Sequence, residues 1–489
     1  MGQYEEDISA MGLDNGALNA LLHATLDRLW KQGATLPNGP ALTEELPKTL
    51  TDFLNSDFNH ESAQDPEQLV ATLCDGLLYY RCRLTHPRFF GFITGSTTPL
   101  SWLGDLITSA VNANPGSRFL GQGASDIERR MIRWCNECIG YDTGSGGVFV
   151  SGGSMANLTA LAAARHMKLT EETHSKGVVY YSKQTHSSIA KALRMTGIYA
   201  RQQRILPCDS AYRLDLQALE AAILDDKAAG HLPFAVVANA GSTNTGSIDD
   251  LNAIADICET HGVWLHVDGA FGASILLSPK YRSRLSGIAR ADSVSWDAHK
   301  WLFQTYGCSM VLVKRVSDLV ATYGNTPEYL SSASATEQAY DSWNIGPELS
   351  RPARATKLWL TLNLMGTKQM AHAIEWGYRL VEWAAEALVK DPYWVVMSPP
   401  QQGIINFRYA PPELSSEQLD ALNEAISQAM LDEGYAAVFT TRLAGYTVLR
   451  ICALNPETTQ QDMIETVARL TQFAQRLYAE QYALSAAMT

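Results

Sequence analysis

GVFVSGGSMANLTALAAARH, residues 147–166, is the stretch on which the fold turns. Gly147-Val148-Phe149-Val150 is a short apolar run of the kind that forms a buried strand. Ser151-Gly152-Gly153-Ser154 breaks it, and Met155 through His166 reads as an Ala/Leu-rich helix. The same succession recurs downstream. Gly177 through Tyr181 is strand-like and Ser187 through Met195 helical; Phe234 through Ala238 and Asp249 through Glu259 repeat the pair. Val263 through Val267 and Ser293 through Trp296 are further strands. Alternation of this kind predicts an α/β domain with a mostly parallel central sheet over about 76–370. Ligands of such sheets bind beyond the carboxyl ends of the strands.

Outward from this centre the pattern changes. Residues 1–75 read as helical segments with loops: Leu18, Leu21, Leu22 and Leu26 have helical spacing, and Pro37, Gly39 and Pro40 break it. That stretch is too short and open for a domain and is expected to be an arm packed on another subunit. Residues 322–352, rich in Ser, Ala, Thr, Asn, Gly and Pro, read as a mobile loop. A helix through Lys357, Trp359 and Leu364 leads into a smaller α+β region, 371–489.

Acidic residues number 51 against 38 basic, a net charge of −13, which argues against nucleic acid or an anionic membrane surface as partner. Charged residues make up only 18%, below the roughly 25% of ordinary soluble domains, so a large core and a buried subunit interface are expected. No apolar run approaches the roughly 20 residues of a membrane helix. Met1 through Asp7 lacks the basic-then-apolar layout of a signal peptide. Eight cysteines in 489 residues are too sparse for a disulfide scaffold, so the cytoplasm is the expected compartment. Cys135 and Cys138 form one C-x-x-C with no second pair at zinc spacing; they read as apolar residues on one helix face, with no metal site.

Four groups at strand ends carry chemistry. Ser151-Gly152-Gly153-Ser154 opens a helix, where backbone N–H groups attract phosphate. Asp268 ends a buried strand and needs a cationic partner. Lys300, in Asp297-Ala298-His299-Lys300-Trp301, sits beside apolar residues that would free its amine to form a Schiff base. His186 follows another strand. Each alone has a plain structural alternative: a tight turn, an ion-paired aspartate, a surface lysine, a satisfied histidine. Together at one sheet edge they suit a single ligand, pyridoxal phosphate. Phe89, Phe90, Phe92 and Trp102 suggest an apolar wall for an aromatic substrate, though such residues more often fill core.

The sequence resembles the group II pyridoxal-phosphate-dependent amino acid decarboxylases, most closely the aromatic type. The signature is Ser293-Val294, five residues, Lys300-Trp301-Leu302, three residues, then Tyr306 and Cys308. Further agreements are His86-Pro87-Arg88-Phe89-Phe90, Ser151-Gly152-Gly153-Ser154, His186-Ser187-Ser188, His266-Val267-Asp268 and Leu358-Trp359. The resemblance implies a pyridoxal-phosphate transferase fold of type I and a homodimer with the active site at the subunit interface. It implies that Lys300 carries the cofactor, Asp268 partners its ring nitrogen and His186 stacks on the ring. Gly153, Ser154 and His299 fall at phosphate-contacting positions, and Ser242 falls beside the cofactor. Tyr329, 29 residues beyond the lysine, takes the place of the catalytic loop tyrosine. The implied reaction releases carbon dioxide from an aromatic L-amino acid, with Tyr329 and His186 as candidates to return a proton to Cα. Other reactions of this fold type, above all aldehyde formation, share Lys300 and Asp268; relatives that make aldehydes tend to have Phe at the position of Tyr329. A non-catalytic interaction protein is the reading from another class, which the intact set of site residues disfavours. Two departures from the family pattern stand out. Asp297-Ala298 replaces a common Asn-Pro, and Gly95 falls near a substrate-contacting Thr.

Overall fold

The computed structural model of the protein describes residues 15–56, 64–325 and 340–483. Tyr329 lies outside the described residues. Three helices open the described chain: α1 (Asn15–Thr35), α2 (Lys48–Asn55) and α3 (Pro66–Ala71). α1 buries none of its residues; Leu18, Leu22 and Leu26 recur along one stripe at 43–48% exposure, and Trp30 is 65% exposed. α4 (Pro99–Val111) starts on Thr98, whose hydroxyl accepts from Ser101 N–H, with Pro99 in the first turn. α5 (Gln122–Ile139) stops at left-handed Gly140, φ 94°.

The large domain then alternates, with β3, α8 and β7 added to the elements its sequence predicts: β1 (Gly146–Val150), α6 (Gly153–Lys168), β2 (Gly177–Ser182), α7 (Ser187–Met195), β3 (Gln203–Leu206), α8 (Leu216–Ala228), β4 (Leu232–Asn239), α9 (Leu251–His261), β5 (Trp264–Asp268), β6 (Ser293–Asp297) and β7 (Ser309–Val313). The seven-stranded sheet has the order β1-β7-β6-β5-β4-β2-β3. Only β7 runs antiparallel to its neighbours, so β1 points the same way as the rest. Val150 and Asp297 both pair with Ser309, which sets the carboxyl ends of β1 and β6 level. Helices cover both faces. Phe149, Tyr180, Val236, Leu265 and Trp296 bury one side of the sheet, and Val148, Tyr181, Val237, Trp264 and Val311 the other.

α10 (Val316–Tyr323), α11 (Ala355–Met365) and α12 (Thr367–Leu388) lead to the small domain. Its elements are β8 (Trp394–Gln401), β9 (Ile404–Tyr409), α13 (Ser416–Glu433), β10 (Phe439–Leu443), β11 (Tyr446–Cys452) and α14 (Gln460–Tyr478). The strands form an antiparallel sheet of order β10-β11-β9-β8. Among the described residues no helix is long and apolar enough to cross a membrane.

The structure departs from the sequence reading at two places. Residues 86–90, expected in the large domain, belong physically to the small one. Phe90 is buried in its core, Phe90 N–H donates to Ala437 O, and Cys452 N–H donates to Phe90 O. His86 and Arg88 both bond Gly39 O, and Arg88 Nε also donates to Tyr435 O, so this motif stitches the N-terminal segment to the small domain. The second departure is the stretch 340–352, expected as part of a mobile loop. Trp343, Ile345 and Arg351 are buried there, and Arg351 makes a two-oxygen ion pair with buried Glu128 on α5 at 2.8 Å. The apolar and charged anchors outweigh the loop-like composition around them.

Candidate functional site

A cavity of about 430 Å³ opens at the shared edge formed by the carboxyl ends of β1, β4, β5 and β6. Each predicted group except Tyr329 lines it: Gly153, Ser154, His186, Ser242, Asp268, His299 and Lys300.

Lys300 sits in the turn after β6, its N–H donating to Asp297 O. Nζ lies 3.3 Å from Asp297 Oδ2, with the side chain 22% exposed. Gly95 packs against the lysine backbone so closely that a Cβ there would lie 1.8 Å from Lys300 O. Asp297 itself is buried, and its Oδ1 has no partner among the described residues. It lies under the first turn of α6, where a Cβ on Gly153 would come within 2.6 Å of Oδ2. The helix start thus offers its positive end to the carboxylate that replaces the family's common Asn.

Asp268 ends β5. Its Oδ1 accepts from Ala270 N–H and Ser295 Oγ, both at 3.1 Å, and its Oδ2 accepts from Asn157 Nδ2 at 3.0 Å. Burial alone would raise this carboxyl, but Lys300, His266 and the Ala270 N–H outweigh it and hold the group below the usual carboxylate range. His186 caps the N-terminus of α7, its Nδ1 accepting from Ser188 N–H at 3.2 Å. Burial lowers its pKa, Asp268 opposes this and Lys300 reinforces it, so the imidazole is neutral near pH 7. His299 is also lowered by burial, and its Nδ1 lies 3.2 Å from both Cys308 O and Ser309 Oγ. Ser242 lines the cavity, yet its hydroxyl is engaged by Thr245 Oγ1 at 2.8 Å and Ser247 Oγ at 2.9 Å.

The small domain steadies one wall. Arg450 on β11, buried and without a carboxylate partner among the described residues, donates to Thr243 O at 2.7 Å, Phe92 O at 2.9 Å and Asn244 O at 3.2 Å. Those carbonyls belong largely to the loop that carries Ser242.

The expected apolar wall is not formed by the residues that suggested it. Phe90 fills the small-domain core, Phe89 packs with Phe92 and Phe439, and none of Phe89, Phe90, Phe92 and Trp102 lines the cavity. Phe271, stacked on Trp301 at 4.9 Å, does line it, along with Tyr306. Asn157, Ser295 and Asn239 also belong to the site and were not legible as such. Only the four-residue step from Gly153 to Asn157 on one helix face could have flagged the first.

The arrangement fits pyridoxal phosphate on its own chemistry. An accessible amine, a carboxylate held ionised, a flat neutral imidazole and a glycine-opened helix start face one cavity.

Comparison with known proteins agrees with this. Residues 47–410 match the pyridoxal-dependent decarboxylase conserved domain. An aromatic-L-amino-acid decarboxylase of Bacillus atrophaeus is 37% identical over 419 residues, covering 85% of this chain and 87% of the relative. A phenylacetaldehyde synthase of Arabidopsis thaliana is 28% identical over 478 residues, covering 94% and 96%. Among solved structures, Oryza sativa TDC with PLP and tryptamine superposes with a TM-score of 0.90 at 24% identity, covering 96% of this chain and 99% of that one.

Proposed function

The chain belongs to the pyridoxal-dependent decarboxylase family, and from that premise we propose that it removes carbon dioxide from an aromatic L-amino acid to leave the amine. It is a pyridoxal-phosphate-dependent amino acid decarboxylase with the fold of those enzymes. The observation that carries the aromatic reading is electrostatic. Among the described residues that line the cavity, Lys300 is the only Lys or Arg, while Asp268 and Asp297 are both carboxylates. An acidic side chain would find no second cation there and two like charges, whereas a ring needs no counter-charge.

When bound, pyridoxal phosphate supplies an aldehyde carbon for amines and a ring that takes up the electrons of the breaking Cα–carboxylate bond. In our reading Lys300 is the amine that would hold it by that carbon. Asp268 would keep a proton on the ring nitrogen through a charge-assisted hydrogen bond. His186 would stack on the ring, Gly153, Ser154 and His299 would hold the phosphate, and Ser242 would lie beside the cofactor. Tyr329 is assigned the proton delivered to Cα. The exposed apolar stripe of α1 supports a homodimer, and eight unpaired thiols support the cytoplasm. Aldehyde formation is the second reading, favoured by the likeness to the phenylacetaldehyde synthase.

One assay separates these readings. Carbon dioxide, amine, aldehyde and peroxide are quantified under air across aromatic L-amino acids, glutamate, aspartate and diaminobutyrate. Amine from an aromatic substrate is expected. Tyr329→Phe should cut amine release by roughly 10²–10⁴ and let aldehyde appear. Faster turnover of glutamate or aspartate overturns the substrate class, and aldehyde as the main wild-type product overturns the reaction.

A further inference from the structure

Asn157 has no role in the chemistry above, yet its carboxamide joins the two halves of the site. It lies on α6, one turn beyond Gly153, 1% exposed. Nδ2 donates to Asp268 Oδ2 and to Ser188 Oγ, both at 3.0 Å, and Oδ1 lies 3.0 Å from His266 Nε2. An ionised carboxylate only accepts, so Asp268 fixes the amide nitrogen on its side. The amide oxygen then faces His266, which must carry its proton on Nε2. His266 Nδ1 is left as the acceptor for Ser293 Oγ at 2.9 Å, and Ser293 in turn accepts from Trp264 Nε1 at 2.8 Å.

The other arm follows the same bookkeeping. Ser188 Oγ accepts from Asn157, so its own proton goes to His186 Nδ1, 2.9 Å away. Ser188 N–H donates to the same Nδ1. Two donors on Nδ1 leave the neutral ring of His186 protonated on Nε2. Burial keeps both histidines neutral, lowering His266 to about 4 and His186 below its ordinary value. Each donor and acceptor from Trp264 to His186 then has one assignment, and the charge on Asp268 sets its direction.

We propose that Asn157 is a positioning residue that orients Asp268 and, through Ser188, fixes His186 as the Nε2–H tautomer, leaving that N–H as the donor the ring offers to the cavity. The proposal rests on the decarboxylase reading for what that donor meets, but the tautomer is a property of the chain alone.

The test uses full-length ¹⁵N-histidine-labelled protein, with and without pyridoxal phosphate, and His186→Gln to assign the signal. Wild type should show Nε2 protonated and Nδ1 bare at His186. Asn157→Leu, close in size but without hydrogen bonds, frees the Ser188 hydroxyl to turn away and should lower the Nε2–H population, and it should weaken pyridoxal phosphate binding about ten- to hundredfold, as expected for a lost bond to a charged group. Ser188→Ala removes the hydroxyl donor on His186 Nδ1 and keeps the backbone N–H donor there; it should shift the Nδ1 resonance and lower the Nε2–H population while cofactor affinity stays within about threefold, and it remains informative if Asn157→Leu does not fold. His186 protonated on Nδ1 in wild type, an Nδ1 resonance of His186 unmoved by Ser188→Ala, or cofactor affinity of a folded Asn157→Leu within about twofold of wild type would each overturn the proposal. Absence of amine release in the wild type would sink the decarboxylase reading and leave the tautomer result standing.

Discussion

Lys300, Asp268 and His186 were legible as candidates because they fall together beyond strand ends at one sheet edge, where a single ligand suits all of them although each alone has a plain structural alternative. Gly95 shows what such reading misses. It takes no left-handed conformation; its constraint is a neighbour 205 positions away in sequence, the carbonyl of Lys300. A Cβ at 1.8 Å from that oxygen forces one backbone to move by more than an ångström. Gly95→Ala should therefore displace the lysine turn and lower turnover by roughly 10²-fold, the scale expected for a 1 Å misplacement of a reacting group. Circular dichroism should show the fold intact. Wild-type turnover in this variant would mean that the 95 loop can yield without disturbing Lys300. Asn157 was hidden for a related reason: an Ala/Leu-rich helix does not spell out which of its faces looks at β5.

At the scale of elements, five strands of the large sheet were found and its two others were not. β3 has only four residues, one of them Arg204, and closes the edge of the sheet. β7 follows the lysine signature directly and has the opposite direction to its neighbours, which breaks the strand–helix rhythm. Composition also misled at residues 340–352, where polar spelling conceals an anchor. Arg351 reaches both carboxylate oxygens of Glu128 and the carbonyl of Phe149 in β1, while Glu128 Oε1 accepts from Phe149 N–H. This ties the chain to the strand that leads into Ser151-Gly152-Gly153-Ser154. Arg351→Met leaves Glu128 charged and buried, which should cost about 3–5 kcal/mol, read by denaturant unfolding. The double variant Glu128→Gln with Arg351→Met should be more stable than Arg351→Met alone, because no orphan charge remains. If the double variant were the weaker of the two, the pair would owe its stability to attraction and not to avoided desolvation.

For the whole molecule, pH and association follow from what is buried and what is left bare. His86 and His266 are buried, and burial lowers both to about 4. The unfolded chain binds these protons near pH 6.5 and the folded one does not, so stability is full above that value and is lost as pH falls towards 4. His186 and His299, also lowered by burial, act in the same sense, while Asp249, raised by burial to about 6, gives up one proton on unfolding at pH 5. The histidines outnumber it, so unfolding at pH 5 should take up more protons than at pH 8, measured from the pH dependence of the unfolding midpoint, and an absence of extra uptake would refute it. The opposite excess lies on the surface. α1 leaves Leu18, Leu22, Leu26 and Trp30 exposed, and α4 leaves Leu103, Leu106 and Ile107 at 44–47% and Val111 at 68%. Two helices with bare apolar stripes are more than a monomer ordinarily leaves exposed. A second copy is the occupant we expect, since the sparse charge of the chain predicts a buried subunit interface. Sedimentation at micromolar concentration should give a dimer. Leu22→Glu with Leu26→Glu should raise its dissociation constant, because each carboxylate would have to be buried or the stripe left apart. The dimer reading also makes a kinetic demand: specific activity should fall on dilution of that variant in step with dissociation. A fully active monomer would show that the apolar stripes serve something other than self-association, and that one chain holds a complete site.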